Sequence, residues 1–189
     1  MATQKNTKPT WTAIRQHLKS WESDALIALI KDLHDSTPAN RDFLHARVTA
    51  AAGGEASFAS YRKRVTDPFY PARGEGKLKL GEARKAIREY RKATGDIRGT
   101  ADLLMTYVEN GTQFTREYGD INERFYNSLE SALDELAALL RSQAREMYPV
   151  LSGRLSKVAQ VASCIGWGFG DHVFDVVECL KDELSPDDD

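Results

Sequence analysis

A chain of 189 residues, 41% hydrophobic and 29% charged, carries enough apolar matter for one core beneath a hydrated surface. Its net charge of −2 lacks the overall basicity typical of nucleic-acid binders, and the apolar run Leu26 to Ile30 is far short of the roughly 20 residues of a membrane span. Two cysteines, Cys164 and Cys179, are too few for a disulfide framework, and the start is too polar for a signal peptide, so the expected location is the cytoplasm.

The charge is unevenly spread. Residues 1–61 hold 7 Lys/Arg against 6 Asp/Glu, residues 62–98 hold 12 against 5, and residues 99–189 hold 7 against 17. A basic middle and an acidic C-terminal half speak of partners or self-association rather than of fold.

In chain order, residues 1–9 read as a disordered polar tail and residues 10–184 as a single helical domain, with a possible subdivision at the 66–79 loop. Trp11, Ile14, Leu18 and Trp21 recur at helical spacing, and Ser23 is placed to cap a second helix carrying Leu26, Ile27, Leu29, Ile30 and Leu33. Thr37-Pro38 opens a third, which carries Phe43, Leu44 and Val48 and stops before Gly53-Gly54. A fourth covers Ala56 to Val65 and ends before Pro68. Residues 66–79, with two prolines and two glycines, form the longest irregular stretch.

A helix is predicted over Leu80 to Thr94 with Gly95 as its left-handed stop, and another over Ile97 to Tyr118 closed by Gly119. Asp120 then caps a helix whose stripe is Phe125, Leu129, Leu133, Leu136 and Leu140. Met147 to Ile165 continues the pattern, and after Gly166–Gly170 Asp171 caps a last helix ending near Leu184, before an acidic tail over 185–189. No segment alternates with period two. The fold expected is all-α, an irregular multi-helix bundle or a short stack of antiparallel helical hairpins.

The strongest local signal is a basic helix face. At about 100° per residue, Arg84, Lys85, Arg88, Arg91 and Lys92 share one side, while Ala83, Ala86, Ile87 and Tyr90 cover the other. Glu82 and Glu89 are spaced to pair with Lys85 and Lys92. Arg62, Lys63, Arg64, Arg73, Lys77 and Lys79 extend the positive charge, with Phe69 and Tyr70 in the loop as rings that stack on bases if exposed. The plainer reading is a solvated face, or one that complements the acidic half of the same molecule.

Other constellations carry less. Gly166-Trp167-Gly168-Phe169-Gly170 follows no strand and precedes no Lys-Ser/Thr pair, so it fails as a phosphate loop and reads as a turn with Trp167 and Phe169 plugging the core. Gly74-Glu75-Gly76-Lys77 fails likewise, because Leu78 stands where a hydroxyl is needed. Cys164, His172 and Cys179 lack the close spacing of zinc ligands and read as helix-face residues, the cysteines buried. His17, His34 and His45 read as surface or boundary residues. No nucleophile elbow and no helical metal motif is present.

The stretches LIALIKDLHDSTPANRDFLHARV, KLKLGEARKAIREYRKATGD and LMTYVENGTQFTREYGDI resemble bacterial helical proteins of unassigned activity, across about half the chain. The resemblance implies a bacterial source and an all-helical fold, and transfers no functional residue.

These readings converge on a non-enzymatic interaction module that meets protein partners or copies of itself through basic and acidic faces. Its candidate contacts are Arg84, Lys85, Arg88, Arg91 and Lys92. The alternatives are nucleic-acid binding through residues 62–98, and an enzyme with an inter-helix pocket near residues 164–172. No cofactor, metal or membrane is expected.

Overall fold

The computed structural model describes residues 8–50 and 54–185; the expectations for the first seven residues, Gly53 and the end from 186 lie outside them. Among the described residues there are nine α-helices and no strand, so the all-α expectation holds. In chain order they are α1 (Trp11–Leu18), α2 (Ser23–Ser36), α3 (Pro38–Thr49), α4 (Glu55–Thr66), α5 (Leu80–Thr94), α6 (Ile97–Tyr118), α7 (Glu123–Ser142), α8 (Tyr148–Ala162) and α9 (Phe169–Leu184). A 3-10 turn, Arg145–Met147, leads into α8. By its contacts the chain divides into two compact units, Met1–Leu44 and His45–Asp189.

In the first unit, Thr10 caps α1 by accepting from the Ala13 amide at 3.3 Å. Ser23 is not the cap of α2 but its first residue, after an extended Glu22 that makes no side-chain cap. Lys31 and Asp35 pair one turn apart, and His34 Nδ1 lies 2.8 Å from the same carboxylate. The hydrogen bonds from Lys31 and His34 hold the Asp35 carboxyl down at about 2. No residue of α1 or α2 is buried, and Trp11 and Ile27 are 68% and 63% exposed. The apolar side that the spacing marks out on each helix is therefore not buried. Periodicity fixes which side of a helix is apolar; it does not supply the surface that covers it.

The second unit is built around α6. This helix is packed by α4, α5, α7 and α8, while α9 lies against α7 and α8. Of its 22 residues 12 are buried, the pattern of a helix enclosed on most sides rather than one lying on a surface. Close approach to α7 depends on Gly111, where an added Cβ would stand 2.3 Å from Leu129 Cδ2. The predicted α7 stripe of Phe125, Leu129, Leu133, Leu136 and Leu140 is buried throughout. Each such side chain contributes about 1.5–3 kcal/mol on leaving water.

Two caps differ from expectation. Asn122, not Asp120, accepts from the Phe125 amide at 3.1 Å, while Asp120 takes the Tyr126 phenol at 3.0 Å. Gly168, left-handed at φ 74°, precedes α9 in place of Asp171, which sits in the first turn. Gly95 adopts the predicted left-handed stop after α5 at φ 69°.

Candidate interaction surface

Helix α5 buries the side the sequence assigns to the core: Ala83, Ala86, Ile87, Tyr90 and Ala93. Tyr90 locks this side to the start of α6. Its phenol donates to Asp96 Oδ2 at 2.6 Å, while Asp96 Oδ1 accepts from the Gly99 amide at 2.9 Å and caps α6. Burial, followed by the hydrogen bond to Asp96, pushes the phenol well above its ordinary range. On the neighbouring ring Tyr61 meets Tyr90 edge-on at 5.4 Å, which ties α4 to the same face.

Fixing the inner side fixes the outer. The five candidate contacts share the helix side opposite the core, yet their surroundings differ. Arg84 borders the core, its side chain only 15% exposed, and its Nη2 donates to Glu135 Oε2 of α7 at 2.8 Å. Its guanidinium also lies 5.8 Å from the centre of the Tyr107 ring. Arg84 is thus drawn into the fold rather than standing on the open face.

On the other flank Glu89 binds Arg64 of α4 at 2.6 Å and Lys85 at 3.6 Å, not the expected Lys92. Glu82 pairs with Lys79 at 2.8 Å instead of Lys85. Both rearrangements follow from neighbours outside the helix: Arg64 and Lys79 offer closer cations than the intrahelical register does. Arg88, Arg91 and Lys92 make no side-chain ion pair or hydrogen bond among the described residues, and Arg88 and Lys92 are exposed.

The 66–79 stretch is a fixed loop, closed at its base. The Leu78 amide donates to the Pro68 carbonyl at 2.9 Å, joining the two ends. Phe69 is 1% exposed and packs edge-on against Tyr107 at 5.4 Å and Phe125 at 6.4 Å. Gly76 presses against this anchor so closely that a Cβ would stand 2.2 Å from the Phe69 carbonyl oxygen. Only glycine fits there. Tyr70 turns the same way, its ring 5.9 Å from Phe114 and its phenol donating to Glu117 at 3.0 Å. Phe69 is thus withdrawn from any base, and Tyr70 is half-buried rather than exposed.

What the loop does present is charge. Together with α4 and α5 it encloses a cleft of about 510 Å³ bordered by Arg64, Arg73, Lys77, Lys79 and Lys85, against the acids Asp67, Glu75 and Glu82. Two of the three acids are taken, Asp67 by Lys63 and Glu82 by Lys79. Arg73 and Lys77 are exposed and carry no ion pair among the described residues.

The remaining sequence candidates are dispersed. Phe169 is fully buried as predicted, but Trp167 stands 62% exposed in a left-handed conformation, its ring stacked 6.3 Å from Tyr126. Both cysteines are exposed, contrary to expectation. His172 Nε2 lies 3.0 Å from Asp134 Oδ1, and Cys164 Sγ lies 3.8 Å from Ser163 Oγ, so no hydrogen bond joins the cysteine to the histidine. Among the described residues no cluster of His, Cys, Asp and Glu is arranged to hold a metal, and no helix is long and apolar enough to cross a membrane. Comparison with protein-family models, with curated proteins and with solved structures gave no match.

Proposed function

We propose that the protein is a non-catalytic interaction module whose surface on α5 and the stapled loop docks an acidic segment of a protein partner. One observation carries this reading. The chain holds 17 acidic side chains in residues 99–189, and uses Glu135 to neutralise the flank of α5, yet Arg88, Lys92, Arg73 and Lys77 stay exposed without a carboxylate among the described residues. Cations left open on a rigid scaffold raise the local concentration of an anionic partner and speed its encounter.

A polyphosphate backbone would answer the same charge. The protein reading is preferred because Phe69 sits in the core and Tyr70 is half-buried with its phenol committed to Glu117, which leaves the loop without a fully exposed ring for a base to stack upon. The test is fluorescence anisotropy with a labelled Glu-rich peptide, comparing the native chain with the R73E/K77E/R88E/K92E variant. Reversal of the four charges is expected to weaken binding at least about tenfold, or 1.4 kcal/mol. Equal affinity for both proteins refutes the assignment.

A further inference from the structure

The first unit carries apolar stripes that nothing within it covers. Of the eleven large apolar side chains exposed among the described residues, six fall between Trp11 and Leu33. Exposed apolar residues scattered singly are ordinary, whereas a cluster marks a contact surface. On α1, Trp11 and Ile14 share one side, and Trp21 folds back on the helix with its ring edge-on to His17 at 5.7 Å. On α2, Ile27, Ile30 and Leu33 recur at helical spacing. With a whole aromatic side chain counting about 150–250 Å², the six expose on the order of 600 Å² per chain, approaching the roughly 800 Å² that each partner buries in a standard interface.

The helices also need that cover. An isolated helix of fewer than about 12–15 residues is marginal in water, and α1 has 8 residues with none buried. Charge then says what fits. Arg15 and Lys19 border the stripe of α1, where no acid stands, and neither makes an ion pair among the described residues. Residues 22–36 hold Glu22, Asp24, Asp32 and Asp35 against Lys31 alone, and Lys31 is spent on Asp35. Glu22, Asp24 and Asp32 are exposed with no ion pair among the described residues. An anionic lipid surface would suit α1 and be repelled by these three acids, whereas the layout as a whole complements itself.

We infer that the first unit is a dimerisation element whose partner is a second copy of this chain. Across a two-fold axis, α1 of each copy lies on α2 of the other, so the apolar stripes close on one another and Arg15 and Lys19 face Asp24 and Asp32 of the second copy. The contact uses no residue of the docking surface on α5.

The test is sedimentation equilibrium on the full chain from about 1 to about 200 µM, where a dimer dissociating in the micromolar range is expected. I27E/I30E alters an exposed side only, so circular dichroism is expected to show the native helices of the second unit while association weakens at least about tenfold. R15E/K19E and D24K/D32K are each expected to dimerise poorly, because like charges then meet. Their equimolar mixture is expected to recover the dimer, since the reversed charges complement each other only between the two chains. R73E/K77E/R88E/K92E is expected to dimerise as the native chain does. A monomer throughout the concentration range overturns the inference, as does a monomer that sediments with phosphatidylserine vesicles. Native association in I27E/I30E, loss of the dimer in the α5-surface variant, or a mixture no tighter than either charge variant alone overturns it equally.

Discussion

Arg84 Nη2 and Glu135 Oε2 meet at 2.8 Å, joining the basic segment of the chain to its acidic half. The pair explains how a helix with five cations on one side lies against a folded core. One cation at the core border is neutralised from α7, Lys85 at the other border shares Glu89 with Arg64, and the outward ones remain with solvent.

Removing one member of that pair leaves the other stranded. Glu135→Gln is expected to destabilise the protein by about 1–3 kcal/mol, because Arg84 keeps a largely buried charge whose Nη1 is already without a partner. Adding Arg84→Met to the same chain is expected to restore part of the loss, since no charge is then stranded. Urea denaturation of the two variants measures both effects; a double variant less stable than Glu135→Gln alone would show that packing of the Arg84 stem dominates.

The loop rests on a glycine. Gly76→Ala places a methyl 2.2 Å from the Phe69 carbonyl, a backbone atom that cannot swing aside. The expected cost is about 1–3 kcal/mol, with loosening of residues 68–78 that hydrogen exchange would detect at the Leu78 amide. Binding of an acidic peptide should weaken in step, because Arg73 and Lys77 depend on this loop for their position.

Alkaline pH should unfold the chain through its tyrosines. Tyr70, Tyr90, Tyr107 and Tyr126 all have phenols raised above the usual value of 10.0, chiefly by burial. A raised folded-state value means that the folded chain holds protons the unfolded chain releases. The stabilisation is therefore intact below pH 10 and is lost as pH climbs beyond it. Denaturation at stepped pH is expected to show stability falling from about pH 10 upward, with a shallower fall in Tyr90→Phe. A slope identical to that of the native chain would exclude Tyr90 as a contributor.

Much of this fold is legible in residue spacing. The core side of α5, the stripe of α7 and the glycine stop after α5 follow from helical period and backbone conformation alone. Three kinds of feature do not. Caps are chosen by local competition, so Asn122 displaces Asp120 once the Tyr126 phenol engages that carboxylate. A lone aromatic in an irregular stretch carries no period, so nothing in the sequence distinguishes a buried Phe69 from an exposed one. Ion pairing joins distant segments, and the draw of Glu135 on Arg84 has no local signature.

Competition at increasing salt distinguishes an acidic protein segment from a polyphosphate as the occupant of the exposed cations on α5 and the stapled loop. A labelled Glu-rich peptide is displaced by a single-stranded oligonucleotide of equal charge, or by an unlabelled peptide of the same sequence. Preferential displacement by the peptide, with affinity falling as ionic strength rises, is the predicted result. Displacement chiefly by the oligonucleotide, or peptide binding indifferent to salt, would contradict it.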